Sequence, residues 1–471
     1  MDHRSLRKSY PLKSLEQSIW HWGILAISAL LSGLIADSSF AQDHVENITF
    51  NKGAIDRMWV LTSAALVFLM QAGFKCFEVG IVRTKNATAT GMKNIIDWLC
   101  ACIAFFCLGF GFMFGTSANG IVGTDLFALV DLEKTGSLQS IFFLFQLAFA
   151  GTALTIVSGA MSERTGFVFY LCGSVVIGLI IYPIFGHWVW GNLLLTDNKP
   201  WLAELGFIDF AGSTVVHSLG AWVALVGVWF VGPRLGRYGA DGKLRQFESH
   251  SYAYSILGVI LLWFGWWGFN GGSQLALDDA VGPIIVNTNL AAAAAGLSAF
   301  FHCYFFQNRE GLNDKLLGGI LGGLVAITAG CSLVSYSSAI VIGLIAGVVH
   351  NYSYVLLLKT LKIDDPVGAI PVHGFCGAFG TFAVALFGKQ ELLPHPRFTQ
   401  MGVQLVGIVV CFVWAVTTAY IMYKILKHTV GLRVSPSEEQ AGINLAGGEA
   451  EEHSSDDKSP SEEDIRKIMG L

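Results

Sequence analysis

Two stretches of this chain place a carboxylate and an imidazole at the same spacing. One reads Asp209-Phe-Ala-Gly212-Ser-Thr-Val-Val216-His217 and the other Asp365-Pro-Val-Gly368-Ala-Ile-Pro-Val372-His373, so both follow D-x-x-G-x-x-x-V-H. Each opens an apolar segment. An aspartate there can accept hydrogen bonds from the free N–H groups of a helix's first turn and is stabilised by the positive end of the helix dipole. Facing an outer mouth, one of the two would also add negative potential for a cation. A histidine eight residues on stands about 12 Å further along a helix axis, in an apolar interior. Two neutral imidazoles in contact can share one proton between ring nitrogens, leaving a donor and an acceptor in an otherwise apolar lane. A histidine pair on two helices can also ligate haem iron, but nothing else in the sequence points to haem, and no cofactor is expected.

Those residues must be held by helices that cross a bilayer. Of 471 residues, 53% are hydrophobic and 13% charged, the latter about half the share usual for soluble proteins. Runs of roughly 20 apolar residues, long enough to cross about 30 Å of hydrocarbon, recur along the chain. We read eleven spans, centred near Leu66, Phe105, Ala150, Ile177, Ala224, Leu262, Ala295, Gly323, Ile345, Ala378 and Val413. Their length selects helices over barrel strands. The motif recurs five spans apart, and a duplicated unit with an odd number of spans must be inverted. The expected fold is therefore an all-α membrane protein of eleven transmembrane helices, in two inverted five-helix repeats plus a final helix.

Residues 1–41 have the parts of a secretory signal peptide: a basic start (Arg4, Arg7, Lys8, Lys13), an apolar stretch from Trp22 to Ala36, and Ser39-Phe40-Ala41 as a cleavage site. The transmembrane domain follows over 42–434, with its N-terminus outside and its C-terminus cytoplasmic in a cell membrane. The proposed inner loops hold Arg83, Lys85, Lys93, Arg164, Arg234, Arg237, Lys243, Arg245, Arg309, Lys315, Lys359 and Lys362. The outer loops hold only Lys134, Lys199, Lys389 and Arg397, which agrees with the positive-inside rule. The remaining segment, 435–471, carries ten acidic and three basic residues and reads as a largely disordered cytoplasmic tail. It alone makes the total charge of −5 negative.

Other polar features read as structural. Lys75 and Glu78 are spaced to pair on one helical face. The nine Cys show no CxxC spacing and read as packing residues, and His187, His302 and His350 lack a repeated partner. No basic stripe suggests nucleic acid, and no catalytic triad, zinc motif or phosphate loop suggests an enzyme.

At the paired motifs the chain resembles the Amt/Mep/Rh family of ammonium transporters, from about Asp56 to Val434. The likeness is carried by Phe145-Gln-Leu-Ala-Phe149-Ala with Gly159-Ala-Met-Ser-Glu163-Arg164, by the DFAGSTVVH segment, by Trp263-Phe-Gly-Trp-Trp-Gly-Phe269-Asn270-Gly-Gly-Ser273, and by Asp364-Asp365-Pro through His373-Gly-Phe-Cys-Gly. The resemblance implies a homotrimer with one pore per subunit. It implies an aromatic vestibule for ammonium at Phe145, Trp190 and Ser273, with Asp209 aiding recruitment. It further implies a gate of stacked rings at Phe149 and Phe269 and a twin-histidine proton relay at His217 and His373, with Asp365 the repeat partner of Asp209. Trp190 favours the Amt branch. The implied function is recruitment and deprotonation of ammonium and conduction of ammonia. The alternatives are an ammonium sensor signalling through the tail, or an Rh-like neutral gas channel. A PII-type regulatory partner fits the tail poorly. Where members commonly continue with Gly-Leu-Asp and then His-Gly-Glu, this chain reads Gly442-Ile443-Asn444 and lacks the His.

Overall fold

The computed structural model describes residues 48–130 and 137–443. The signal-peptide reading of 1–41 and the tail beyond 443 lie outside the described residues. The chain divides into two units, Met1–Ile55 and Asp56–Leu471, and everything that follows concerns the second.

Among the described residues, ten helices are long and apolar enough to cross a membrane. They are α1 (Gly53–Ile81), α2 (Thr84–Phe114), α3 (Gln139–Ala160), α4 (Phe167–Trp190), α5 (Ser213–Val231), α6 (Tyr252–Gly272), α7 (Val281–Phe306), α9 (Tyr336–Thr360), α10 (Ile370–Phe387) and α11 (Arg397–Thr429). The segment read as a span around Gly323 is α8 (Leu312–Thr328), a helix of 17 residues, or about 25 Å. It is walled in by its neighbours. Gly319 and Gly323 of α8 face Ala295 and Ala299 of α7, while Gly343 and Gly347 of α9 face the carbonyls of Ala291 and Ala295; a Cβ at any of the four would overlap those atoms. Small residues at four-residue spacing let three backbones approach closely, which drives helix packing where lipid and side chains are equally apolar. The other secondary structure is slight, with a two-stranded hairpin (Ser117–Ala118 with Val122–Gly123) before α3 and a last helix, α12 (Pro436–Ala441).

The two motifs adopt one local design. Asp209 Oδ1 accepts from the Gly212 N–H at 2.9 Å, and its Oδ2 from the N–H groups of Thr214 and Val215, both at 2.8 Å. Asp365 Oδ1 accepts from Val367 and Gly368 at 3.2 and 3.0 Å, and its Oδ2 from Ile370 at 2.7 Å. Gly212 and Gly368 have φ of +110° and +72°, a region that favours glycine. The chain therefore turns between cap and helix, and α5 and α10 each open on a π-helical turn, Ser213–Ser218 and Ile370–Phe375. This corrects the expectation of a histidine 12 Å into a helix that begins at the aspartate. Four residues separate Asp209 from α5, and His217 falls in the widened first turn.

A second polar layer ties the arginine-rich loops together. Glu163, held at φ +72° between α3 and α4, pairs with both Arg83 and Arg234. Asp364 pairs with Arg234 at 2.8 Å and Arg237 at 3.2 Å. Arg83, Arg234 and Arg237 lie over the Phe247 ring at 4.2, 5.0 and 5.4 Å. Burial alone would raise the Asp364 carboxyl, but Arg234, Arg164 and Arg237 hold it well below the usual carboxylate range.

Candidate functional site

A file of rings runs from one side of this core toward the other. Phe149 of α3 stacks on Phe269 of α6, with centroids 4.0 Å apart at 23°. Phe269 stacks on His217 of α5 at 5.3 Å, and His217 on His373 of α10 at 5.1 Å. Phe74 of α1 stands 6.2 Å beyond His373. The histidine Nδ1 atoms are 3.1 Å apart, so one ring must donate and the other accept, and the pair holds one shared proton between them. His217 Nε2 is buried with no hydrogen-bond partner among the described residues.

The pair is held in place by its surroundings. Trp266 stacks on His217 at 5.0 Å and 21°, and its Nε1 donates to Thr328 Oγ1 at 2.8 Å. Trp266 stands within the stretch Trp263 to Ser273, but sequence reasoning assigned it no part. One turn of helix separates it from Phe269, a spacing that sets both on one face.

Above Phe149 lies a cavity of ≈ 280 Å³ lined by Trp190, Asp209, Ser273, Gln146 and Phe207 among others. Trp190 Nε1 donates to the Asp209 backbone carbonyl at 2.8 Å, which fixes the indole on the wall. Ser273 Oγ donates to the Phe269 carbonyl at 2.8 Å, leaving its lone pairs available as acceptors. Phe145 does not line this cavity. It is buried 4.7 Å from Phe149, against Gly272. Asp209 reaches the wall, but its carboxylate is occupied by three backbone N–H groups, and burial, opposed by those bonds, raises it to about 6.

Several residues depart from their sequence reading. Glu78 does not pair with Lys75. Its Oε2 accepts from Asn94 Nδ2 at 3.1 Å and Ser158 Oγ at 3.3 Å, while Lys75 is exposed. An i, i+3 pair contributes only about 0.2–0.5 kcal/mol, less than hydrogen bonds to a buried carboxylate. His187 bonds Ser117 Oγ and the Met113 carbonyl, both at 2.8 Å, and His350 bonds Asn351 at 3.2 Å, as structural residues would.

Comparisons with known proteins agree with one another. Residues 58–452 match the model of the Ammonium Transporter Family. The chain is 40% identical over 440 residues to Ammonium transporter Amt2 of Archaeoglobus fulgidus, covering 90% of this chain and 92% of the relative. It is 36% identical over 425 residues to Ammonium transporter 1 member 3 of Solanum lycopersicum, covering 83% and 92%. The solved structure named Sensor Amt Protein superposes with a TM-score of 0.83 at 45% identity, covering 86% of this chain and all of that one. Mep2 of Candida albicans superposes with a TM-score of 0.73 at 27% identity, covering 82% and 87%. With its ten apolar spans, its ring-lined core and these relatives, this multi-pass membrane chain belongs to the ammonium transporter family.

Proposed function

We propose that the chain recruits ammonium at the cavity beside Trp190 and Ser273, removes a proton there, and conducts ammonia between Phe149 and Phe269 and past the histidine pair. The observation that carries this reading is the file Phe149, Phe269, His217, His373 ending on an orphan imidazole nitrogen. An aromatic wall attracts a small cation by about 0.5–2 kcal/mol, whereas fully burying an unpaired ammonium costs far more. The ion therefore enters the cavity charged and leaves it neutral. The shared proton between the Nδ1 atoms gives the displaced proton a carrier beside the ammonia lane. The arginine-rich loops face the cytoplasm on this reading, as the positive-inside rule requires, and the assembly is a homotrimer. Expression in yeast lacking its own ammonium transporters tests the function: growth on low ammonium and ammonium-driven current across solid-supported membranes are expected. Uptake without current would favour a neutral gas channel.

A second reading has one observation behind it, the 45% identity to a structure named as a sensor. Saturable ammonium binding by the purified protein, with neither uptake nor current in the same membranes, would select sensing over transport.

A further inference from the structure

A group of buried polar side chains lies among α1–α4, apart from the ring file. Glu78 of α1, Lys93, Asn94 and Asp97 of α2, Ser158 of α3 and Tyr170 of α4 are each at most 3% exposed. Their hydrogen bonds form parts of one chain. Asn94 and Ser158 both reach Glu78 Oε2, Asn94 also lies 3.5 Å from Ser158 Oγ, and Ser174 Oγ donates to Asp97 Oδ1 at 2.9 Å. Lys93 Nζ donates to the Thr165 carbonyl at 3.1 Å and lies over the Tyr170 ring at 5.5 Å. What marks the group is what remains unpaired. Asn94 Oδ1, Asp97 Oδ2, Tyr170 Oη and the neighbouring Gln71 Nε2 are all buried without a partner among the described residues. Native interiors rarely leave such atoms orphaned, and several gathered together signal bound water or a bound ion.

We propose that Glu78 and Asp97, with Lys93, Asn94, Ser158 and Tyr170, form a water-holding proton-exchange site inside α1–α4, separate from the histidine pair. The orphan set is mixed: an amide donor on Gln71, acceptors on Asn94 and Asp97, and a hydroxyl on Tyr170 that does both. Water satisfies all of these, whereas a bare cation would satisfy only the acceptors. Two carboxylates sharing one ammonium can hold one proton more or one fewer without creating an unpaired charge. The charged and titratable groups around them are Lys93 and Cys100 from α2, Tyr170 and Cys172 from α4, and Arg164 and Asp365 from the adjoining loops.

The position suits exchange with the end of the ammonia lane. Glu78 stands one helical turn beyond Phe74 on α1. Its carboxylate and Val367 meet across Gly159, where an added methyl would lie 2.5 Å from Val367 Cγ2 and 3.0 Å from Glu78 Cδ. Val367 in turn lines a small cavity with Phe77, His350 and Tyr354. At its far end, Lys93 leads to Thr165 and the arginine-rich loops. The step moves a proton only. An O–H bond forms when a Glu78 carboxylate oxygen takes the proton of a neighbouring hydrated proton, and the same bond breaks when water on the Lys93 side receives it.

The inference rests on the transport reading for its place in ammonium movement but not for its chemistry, so two measurements are needed. In proteoliposomes of the full chain, Glu78→Gln and Asp97→Asn are expected to lower the charge moved per ammonium taken up by on the order of ten-fold and to shift the pH profile of the current. An unchanged ratio and profile would overturn the proposal. The second measurement is the infrared difference spectrum of the lipid-embedded protein between two pH values, in water and in heavy water. A carboxylic-acid band lost in either variant supports the site, and spectra identical to wild type overturn it. If the wild type carries no ammonium at all, the transport reading fails while the infrared result still decides the site. Tyr170→Phe keeps the ring over Lys93 and removes only Oη. Should both carboxylate variants fail to fold, it must shift the pH dependence of the carboxylic-acid band, and an unshifted band overturns the inference.

Discussion

His217 and His373 illustrate how much depends on single atoms. Their Nδ1 atoms are 3.1 Å apart, and neither ring has a carboxylate beside it, so the lane they line carries no fixed negative charge. An ion that cannot shed its charge, such as potassium, meets the full cost of desolvation there. Replacing His217 by Asp would put a fixed charge at that point, and at an effective dielectric near 20 a cation about 4 Å away gains about 4 kcal/mol. His217→Asp is therefore expected to admit potassium, read as potassium inhibition of ammonium uptake or as potassium current. Full retention of selectivity would remove the histidines from the selectivity argument. These two residues were legible because a motif of four matched positions recurs in the sequence. Glu78 was misread because i, i+3 spacing reveals a neighbour on the same helix and says nothing of Asn94 and Ser158 waiting on two others.

The elements that carry these atoms depend on their caps. Asp209 serves three N–H groups with its carboxylate and Trp190 with its carbonyl, so it couples the first turn of α5 to the cavity wall. Asp209→Ala is expected to cost about 0.5–2 kcal/mol of stability and to weaken ammonium affinity through a displaced Trp190. Asp209→Asn, with one acceptor oxygen for three donors, should fall between. Equal ammonium affinity in all three proteins would confine Asp209 to stability. Asp364 gives the matching case among the arginine loops. Its carboxyl is held below the usual carboxylate value, so the network's contribution is present above about pH 4 and is lost as pH falls through the lower folded value. Breaking such a buried pair costs about 3–5 kcal/mol. The thermal midpoint of Asp364→Asn in detergent should therefore lie below wild type at pH 7, and the gap should close as the pH falls below 4. A gap independent of pH would refute the assignment. Apolar runs made the spans readable, but this network was not, because Glu163, Arg234 and Asp364 are joined only by the fold.

Taken as a whole, the molecule is closed at its arginine-rich end by its own last described residues. The acidic composition after 434 predicted a tail without order, yet residues 435–443 dock. Ser435 caps α12 by accepting from the Glu438 N–H at 3.2 Å. Glu439 then accepts from the Leu235 N–H at 2.7 Å and from Arg433 at 2.7 and 2.9 Å. Lys85 Nζ donates to the carbonyls of Glu439 and Gln440, and the Ile443 N–H donates to Asn86 at 3.0 Å. A signal for this was present in the sequence. Ser435-Pro436-Ser437-Glu438 has the S-x-x-E form of a capping box with proline at the first helical position, and composition masked it. One buried carboxylate thus joins the loop before α2, the loop after α5 and the end of α11. Hydrogen bonds to a charged group contribute about 1.5–3 kcal/mol, which corresponds to a population change of about ten- to a hundred-fold. Glu439→Ala should speed amide exchange at Leu235 and Ile443 by about that factor, while amides inside α5 and α10 exchange as before. Exchange that accelerates equally in the helices would mean that Glu439 supports the whole core rather than one docked end. Exchange that stays slow at Leu235 would assign the docking to Lys85 and Asn86 instead.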